Sequence, residues 1–135
     1  MKIVSACLSG SHCRFDCQAK TRTEIQAMVQ RGEALPVCPE QLGGLSTPRP
    51  PAERVGEQVL TKQGKDVTSE FLRGAEEALQ IAKLCGATEA FLKSKSPMCG
   101  SNRIYDGSFS GNVIAGDGVF AALLKKNGIK VTEVD

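Results

Sequence analysis

Short apolar runs that end on chain breakers alternate along this chain with stretches of helical periodicity, and that alternation is its strongest constraint. Lys2 to Leu8 (KIVSACL) begins β-branched and apolar, then breaks at Ser9-Gly10, which predicts a first strand ending near Cys7. Ala34 to Cys38 (ALPVC) predicts a second strand, broken by Pro39. Glu89 to Lys93 (EAFLK) predicts a third, and Ile129 to Val134 closes the chain with an alternating strand. Helical patterns fill the gaps. Thr21 and Glu24 have capping-box spacing ahead of Ile25, Met28 and Val29, and Gly32 ends that helix. Phe71, Ala75, Ala78, Ala82 and Cys85 form one stripe of a long helix that stops at Gly86. Asp117 is placed to cap a last helix carrying Val119, Phe120, Leu123 and Leu124, ended by Gly128. Such alternation implies a single-domain, three-layer Rossmann-like α/β fold over residues 1–135, its sheet mostly parallel with helices on both faces.

Other segments resist regular structure. Ser11 to Lys20 is polar and cysteine-containing and reads as a loop, and Gln41 to Glu53 is too rich in glycine and proline for helix or strand. Loops of that length in small domains are often functional. Val55 to Thr61 reads as an extended arm before a turn at Gln63-Gly64-Lys65, and Ile104 to Gly111 carries two turn signals.

At 135 residues the chain is long enough for one core, which must be mainly aliphatic because tryptophan is absent and tyrosine occurs once. Seventeen lysines and arginines against 15 acidic residues leave a net charge of +2, too weak a field to make a large nucleic-acid surface the main partner. No apolar run approaches the ~18 residues of a membrane span, and the first residues do not form a signal peptide. The expected setting is the cytoplasm, where stable disulfides are rare and cysteine clusters more often bind metal or do chemistry.

Six cysteines therefore need an account. Cys7, Cys38 and Cys99 each lie at or just past the carboxyl end of a predicted strand, and each is followed within a few residues by a breaker. In open α/β sheets, that edge is where ligands bind. A single free cysteine is usually a small buried hydrophobe. Three in equivalent topological positions turn the balance toward a metal site. Cys85 sits on the long helix's apolar stripe and reads as packing; Cys13 and Cys17, spaced CxxxC, read as an extra ligand, a redox pair or the lining of a site mouth. His12 is the only histidine, which excludes zinc sites built on two or more.

The motifs together resemble the family known as domain of unknown function 523, which includes the thiouracil desulfidases. The segments that carry the resemblance begin with Val4-Ser5-Ala6-Cys7-Leu8, Cys13-Arg14-Phe15-Asp16, Val37-Cys38-Pro39-Glu40 and Gly43-Gly44-Leu45. Pro48-Arg49-Pro50-Pro51-Ala52-Glu53, Asp66-Val67-Thr68, Lys93-Ser94-Lys95-Ser96-Pro97, Cys99-Gly100 and Ile104-Tyr105-Asp106-Gly107 follow in the family order. The resemblance implies a [4Fe–4S] cluster held by three cysteines, which map onto Cys7, Cys38 and Cys99, with one iron lacking a protein ligand. It further implies desulfuration of a thiolated nucleobase such as 2-thiouracil, without net redox change, to uracil and sulfide. Soft sulfur prefers a soft metal, so a thiocarbonyl suits such an iron and would be polarised toward attack by water. Phe15, Cys17 and Met98 stand where the family more often has tyrosine, glycine and a small polar residue.

Further roles follow from position. Glu40, two residues past Cys38, can face the same crevice as general base, and Ser96, three residues before Cys99, can bind substrate or relay a proton. Ser101, Asn102 and Arg103 follow the third cysteine and can hold carbonyl or phosphate oxygens of a substrate; Arg49 and Lys95 are further basic candidates. The expected partner is a small thiolated pyrimidine, and the expected assembly a monomer or small homo-oligomer. Three rival readings stay open: a non-catalytic zinc or iron–sulfur protein, sulfur transfer to or from another small molecule, and a thiol redox switch without metal.

Overall fold

The computed structural model describes all 135 residues. Four strands, β1 (Lys2–Ser5), β2 (Ala34–Val37), β5 (Glu89–Lys93) and β8 (Lys130–Val134), form one fully parallel sheet in the order β2-β1-β5-β8. Side chains alternate across it, as the two-residue period of a strand requires. Ile3, Val37, Ala90 and Leu92 face one layer, built from α3 (Thr68–Leu84) and α4 (Val119–Lys126). Val4, Ala34 and Phe91 face the other, built from α1 (Thr23–Gln30) and the 3₁₀ turn Ala6–Ser9. The result is the three-layer α/β sandwich expected from the alternation of patterns.

The stripe read on α3 is its buried face: Phe71, Ala75, Ala78 and Ala82 are all within the core, with Cys85 half-buried at its end. Gly74 also lies on that face, and it admits a fourth helix that the sequence hid. Pro39–Leu42 is a short helix, α2, starting on a proline whose missing N–H costs nothing at that position. It packs on α3 so closely that a Cβ on Gly74 would fall on the Pro39 carbonyl, and one on Gly43 would fall on that of Glu70.

Other expectations are corrected. The first strand ends at Ser5, so Cys7 sits in the 3₁₀ turn beyond it. Helix α1 starts at Thr23 behind Arg22, with no side-chain cap, so the Thr21–Glu24 capping box does not form. The arm read from Val55 to Thr61 is an antiparallel hairpin, β3 (Ala52–Val55) with β4 (Gln58–Thr61), turning at Gly56-Glu57. The turn signals after Ile104 belong to a second hairpin, β6 (Arg103–Tyr105) with β7 (Val113–Ala115). Nor does Asp117 cap α4. Its carboxylate accepts the Asn102 N–H and the Lys125 ammonium instead, both at 2.8 Å. The N–H groups that open α4 are taken by the carbonyls of Pro97 and Met98, which hangs the Cys99 loop from the helix start. No helix is long and apolar enough to cross a membrane.

Candidate metal centre

The chain leaves β1 toward α1 on one face, and leaves β5 toward α4 on the other. Diverging connections of this kind open a crevice at the carboxyl edge of a parallel sheet. Here the crevice is a cleft of about 410 Å³, whose lining includes Cys7 after β1, Cys38 after β2 and Cys99 after β5. Three residues separated by 31 and 61 positions in sequence thus share one cavity.

Each thiol is set by local structure. Cys7 is placed by the 3₁₀ turn, whose carbonyl at Cys7 accepts the Lys20 N–H at 2.8 Å. Cys38 is the residue that starts α2, and its carbonyl accepts the Leu42 N–H at 3.0 Å. Cys99 is placed by Ser96, whose hydroxyl oxygen accepts the backbone N–H groups of Met98 at 3.1 Å and Cys99 at 3.0 Å. Gly118 and Gly100 keep the loop close. A Cβ at Gly118 would lie 2.5 Å from the Met98 carbonyl carbon, and one at Gly100 would lie 2.7 Å from the Ser96 carbonyl oxygen.

Burial pushes the Cys7 thiol up, and nearby Arg14 and Lys93 work against it. The Cys99 thiol is raised well above its ordinary value by burial, with a contact from the Ser5 hydroxyl opposing. Cys38 is also raised, first by its contact with the Cys13 thiol and then by burial. The Cys7, Cys38 and Cys99 thiols are thus all biased toward the protonated form, and metal uptake by them displaces protons.

Those donors suit an iron–sulfur cluster. All three are sulfur, the ligand type such clusters take, and each comes from a different strand end. No three histidine, cysteine, aspartate or glutamate side chains converge where a single ion would sit. Cys7, Cys38 and Cys99 would be the residues to hold such a cluster.

Glu40 also lines the cleft, and its carboxylate oxygen Oε1 accepts from the Arg49 Nε at 2.9 Å. Arg49 is only 6% exposed and is shared more widely. It donates to the Cys13 carbonyl at 3.0 Å, the Ser46 carbonyl at 3.1 Å and the Thr47 hydroxyl at 2.9 Å. One guanidinium thus joins the loop after Cys13, the glycine- and proline-rich segment, and the carboxylate on α2. Ser96 and Lys95 line the same cleft.

Three expected substrate contacts lie elsewhere. Ser101 is buried outside the cleft lining, its hydroxyl without a partner. Asn102 is exposed and binds the Lys125 ammonium through its side-chain oxygen at 3.0 Å. Arg103 pairs with Glu133 at 2.7 Å and with Asp135 on the surface. The tight turn after Cys99 carries the chain away from the thiols before these residues are reached. His12 and Cys17 are exposed, whereas Cys13 is buried in the cleft beside Cys38. Of the departures from the family pattern, Phe15 borders the cleft while Met98 is fully buried in the core.

The structure adds residues that sequence reasoning passed over. Arg14, Lys93 and Glu53 all line the cleft. Glu53 turns a carboxylate oxygen onto the Gly107 and Phe109 N–H groups at 2.9 and 3.1 Å, joining the two hairpins. Lys93 ends β5, so the strand-end criterion that selected the cysteines also marks it.

Known proteins share this fold and much of this sequence. A solved structure of the [4Fe–4S]-dependent thiouracil desulfidase TudS superposes with a TM-score of 0.93 at 52% identity, covering 97% of this chain and 88% of TudS. An uncharacterized protein of Bacillus subtilis (strain 168), YbbK, is 43% identical over 97% of this chain and 93% of its own length. The model of the 2-thiouracil desulfurase family matches residues 3–135, and the chain belongs to that family.

Proposed function

We propose that this chain is a [4Fe–4S]-dependent thiouracil desulfidase, its cluster held by Cys7, Cys38 and Cys99. The observation that carries the reading is the convergence of three thiols, Cys7 and Cys99 buried and Cys38 half-buried, from three strand ends on one cleft. The reaction is hydrolytic: thiouracil and water give uracil and hydrogen sulfide, with no electrons gained or lost. When bound, the cluster supplies a soft Lewis-acidic metal centre suited to a thiocarbonyl sulfur.

The chain's own groups do the rest. Glu40 takes a proton from the attacking water and returns one to the departing sulfur, which is the general acid–base role open to a carboxylate at the cleft wall. Arg49 holds that carboxylate in one orientation through Oε1. The Ser96 oxygen accepts two backbone N–H groups, and its O–H remains to donate to a ring carbonyl or nitrogen of the pyrimidine. A cleft of about 410 Å³ falls within the ~300–1,000 Å³ range of small-molecule sites. The chain acts as one domain, alone or as a small homo-oligomer, in the reducing cytoplasm that free thiolate ligands require.

Anaerobic iron and sulfide quantification on wild type and on Cys7→Ser, Cys38→Ser and Cys99→Ser tests the reading, paired with thiouracil turnover without an electron donor. The expected result is a brown wild-type protein that forms uracil and sulfide, and three variants depleted in iron. Full iron and full activity in all three variants overturns the ligand assignment. A colourless protein with one tight zinc overturns the cofactor.

A further inference from the structure

Lys93 and Arg14 line the cleft with Cys7 and act on its thiol, and neither is matched by a buried carboxylate. The Lys93 ammonium is half-buried, and its hydrogen-bond partner is the Ser94 hydroxyl at 3.1 Å, not a carboxylate. Arg14 Nε is buried and makes no hydrogen bond. It is ion-paired with Asp16 at 3.4 Å, a half-exposed carboxylate whose same oxygen also accepts the Gln18 N–H. The guanidinium otherwise lies over the Phe15 ring at 5.3 Å. The two cations also repel each other: burial lowers the Lys93 pKa, and the Arg14 charge lowers it further. Arg22 repels Lys93 as well, while Cys7 and Asp135 attract it.

Two like charges near a buried wall are unfavourable unless an anion comes to sit between them. Arg49, another cation of the cleft, differs from both: its side chain is 6% exposed and it is matched by Glu40 at 2.9 Å and by two carbonyls. A cluster held by three thiolates would carry net negative charge, and the hydrogen sulfide that desulfuration releases becomes a second anion, hydrosulfide, on losing a proton to solvent.

We propose that Lys93 and Arg14 form an anion subsite that offsets the charge of the thiolate-bound cluster and retains the departing hydrosulfide. The inference rests on the functional reading above and assigns to these two residues a role distinct from ligation or proton transfer.

The test uses anaerobically prepared holoenzyme of wild type, Lys93→Gln, Lys93→Arg and Arg14→Gln, with Lys83→Gln on the exposed face of α3 as the control. Two quantities are measured: the midpoint potential of the cluster, and the affinity for sodium hydrosulfide followed through the cluster's absorption. Loss of either positive charge is expected to move the potential to more negative values and weaken hydrosulfide binding by about tenfold. Lys93→Arg and Lys83→Gln are expected to keep wild-type values. A Lys93→Gln protein that fails to retain a cluster while Lys93→Arg retains one also supports the proposal. Unchanged potential and unchanged hydrosulfide affinity in both glutamine variants overturn it, as does a Lys93→Arg variant that behaves like Lys93→Gln. Those results leave a clustered, active wild type intact, whereas a wild type without a cluster refutes the functional reading itself.

Discussion

The hydroxyl oxygen of Ser96 ties the chemistry of that side chain to the placement of Cys99, because it accepts the backbone N–H groups that shape the loop. Ser96→Ala leaves both donors without their partner and is expected to cost about 1–2 kcal/mol in a denaturant melt. Turnover should fall further than stability predicts, and Ser96→Thr should recover most of the lost stability. At Glu40 the expectation is different. Glu40→Gln should lower turnover by about 10²–10⁴-fold while iron content stays near wild type, since the carboxylate is assigned to proton transfer and not to ligation. Removing its partner is a structural injury: Arg49→Ala leaves a carboxylate and three other acceptors unmatched and should destabilise by about 3 kcal/mol. Glu40 was legible from its spacing behind Cys38. Its clamp was not, because Arg49 lies nine residues on, across a segment whose glycines and prolines give no period to read.

Elements place these residues through close backbone contacts. Helix α2 carries Glu40 two residues after Cys38 and rests on α3 where glycine replaces any side chain. Gly74→Ala is favourable for helix propensity, yet its methyl would meet the Pro39 carbonyl. The expected outcome is a loss of about 1–3 kcal/mol from overpacking, with reduced iron content because Cys38 moves with α2. Paired melts and iron assays would check both parts. A second element-level link is Asp117. Burial raises its carboxyl pKa, but the Asn102 N–H and the Lys125 ammonium outweigh that and hold it below the ordinary aspartate value of 3.8. A group depressed in the folded state adds stability above its unfolded value, and that stability is lost as pH falls through the folded value. Wild type should therefore melt above Asp117→Asn at neutral pH, and the gap should close as pH drops below 3.8. Equal gaps at pH 3 and pH 7 would refute the assignment. The long α3 stripe was readable because one residue in three or four faces the core. The short α2 was not: four residues starting at a proline carry less than two turns of pattern.

At the scale of the molecule, a cluster bound by Cys7, Cys38 and Cys99 would tie together three segments of the chain that meet at the end of the parallel sheet. A cofactor that binds only the folded chain stabilises it by mass action. Stripping the cluster with a chelator should lower the melting temperature, by about 3–5 °C for each ~1 kcal/mol of linkage at this size. Cys99→Ser should melt like the stripped wild type whether or not iron is supplied. An identical melting temperature for loaded and stripped protein would mean that the cleft contributes nothing to stability. The amino-acid sequence by itself determined the strand–helix alternation, the aliphatic core and the cysteines at strand ends, because periodicity, breakers and burial are local properties of the chain. The tertiary structure alone decided that Cys13, Arg14, Lys93 and Arg49 share the cleft, and that Ser101, Asn102 and Arg103 leave it. Sheet order, and the side on which each connection departs, set those distances between residues far apart in sequence, and no local pattern encodes them.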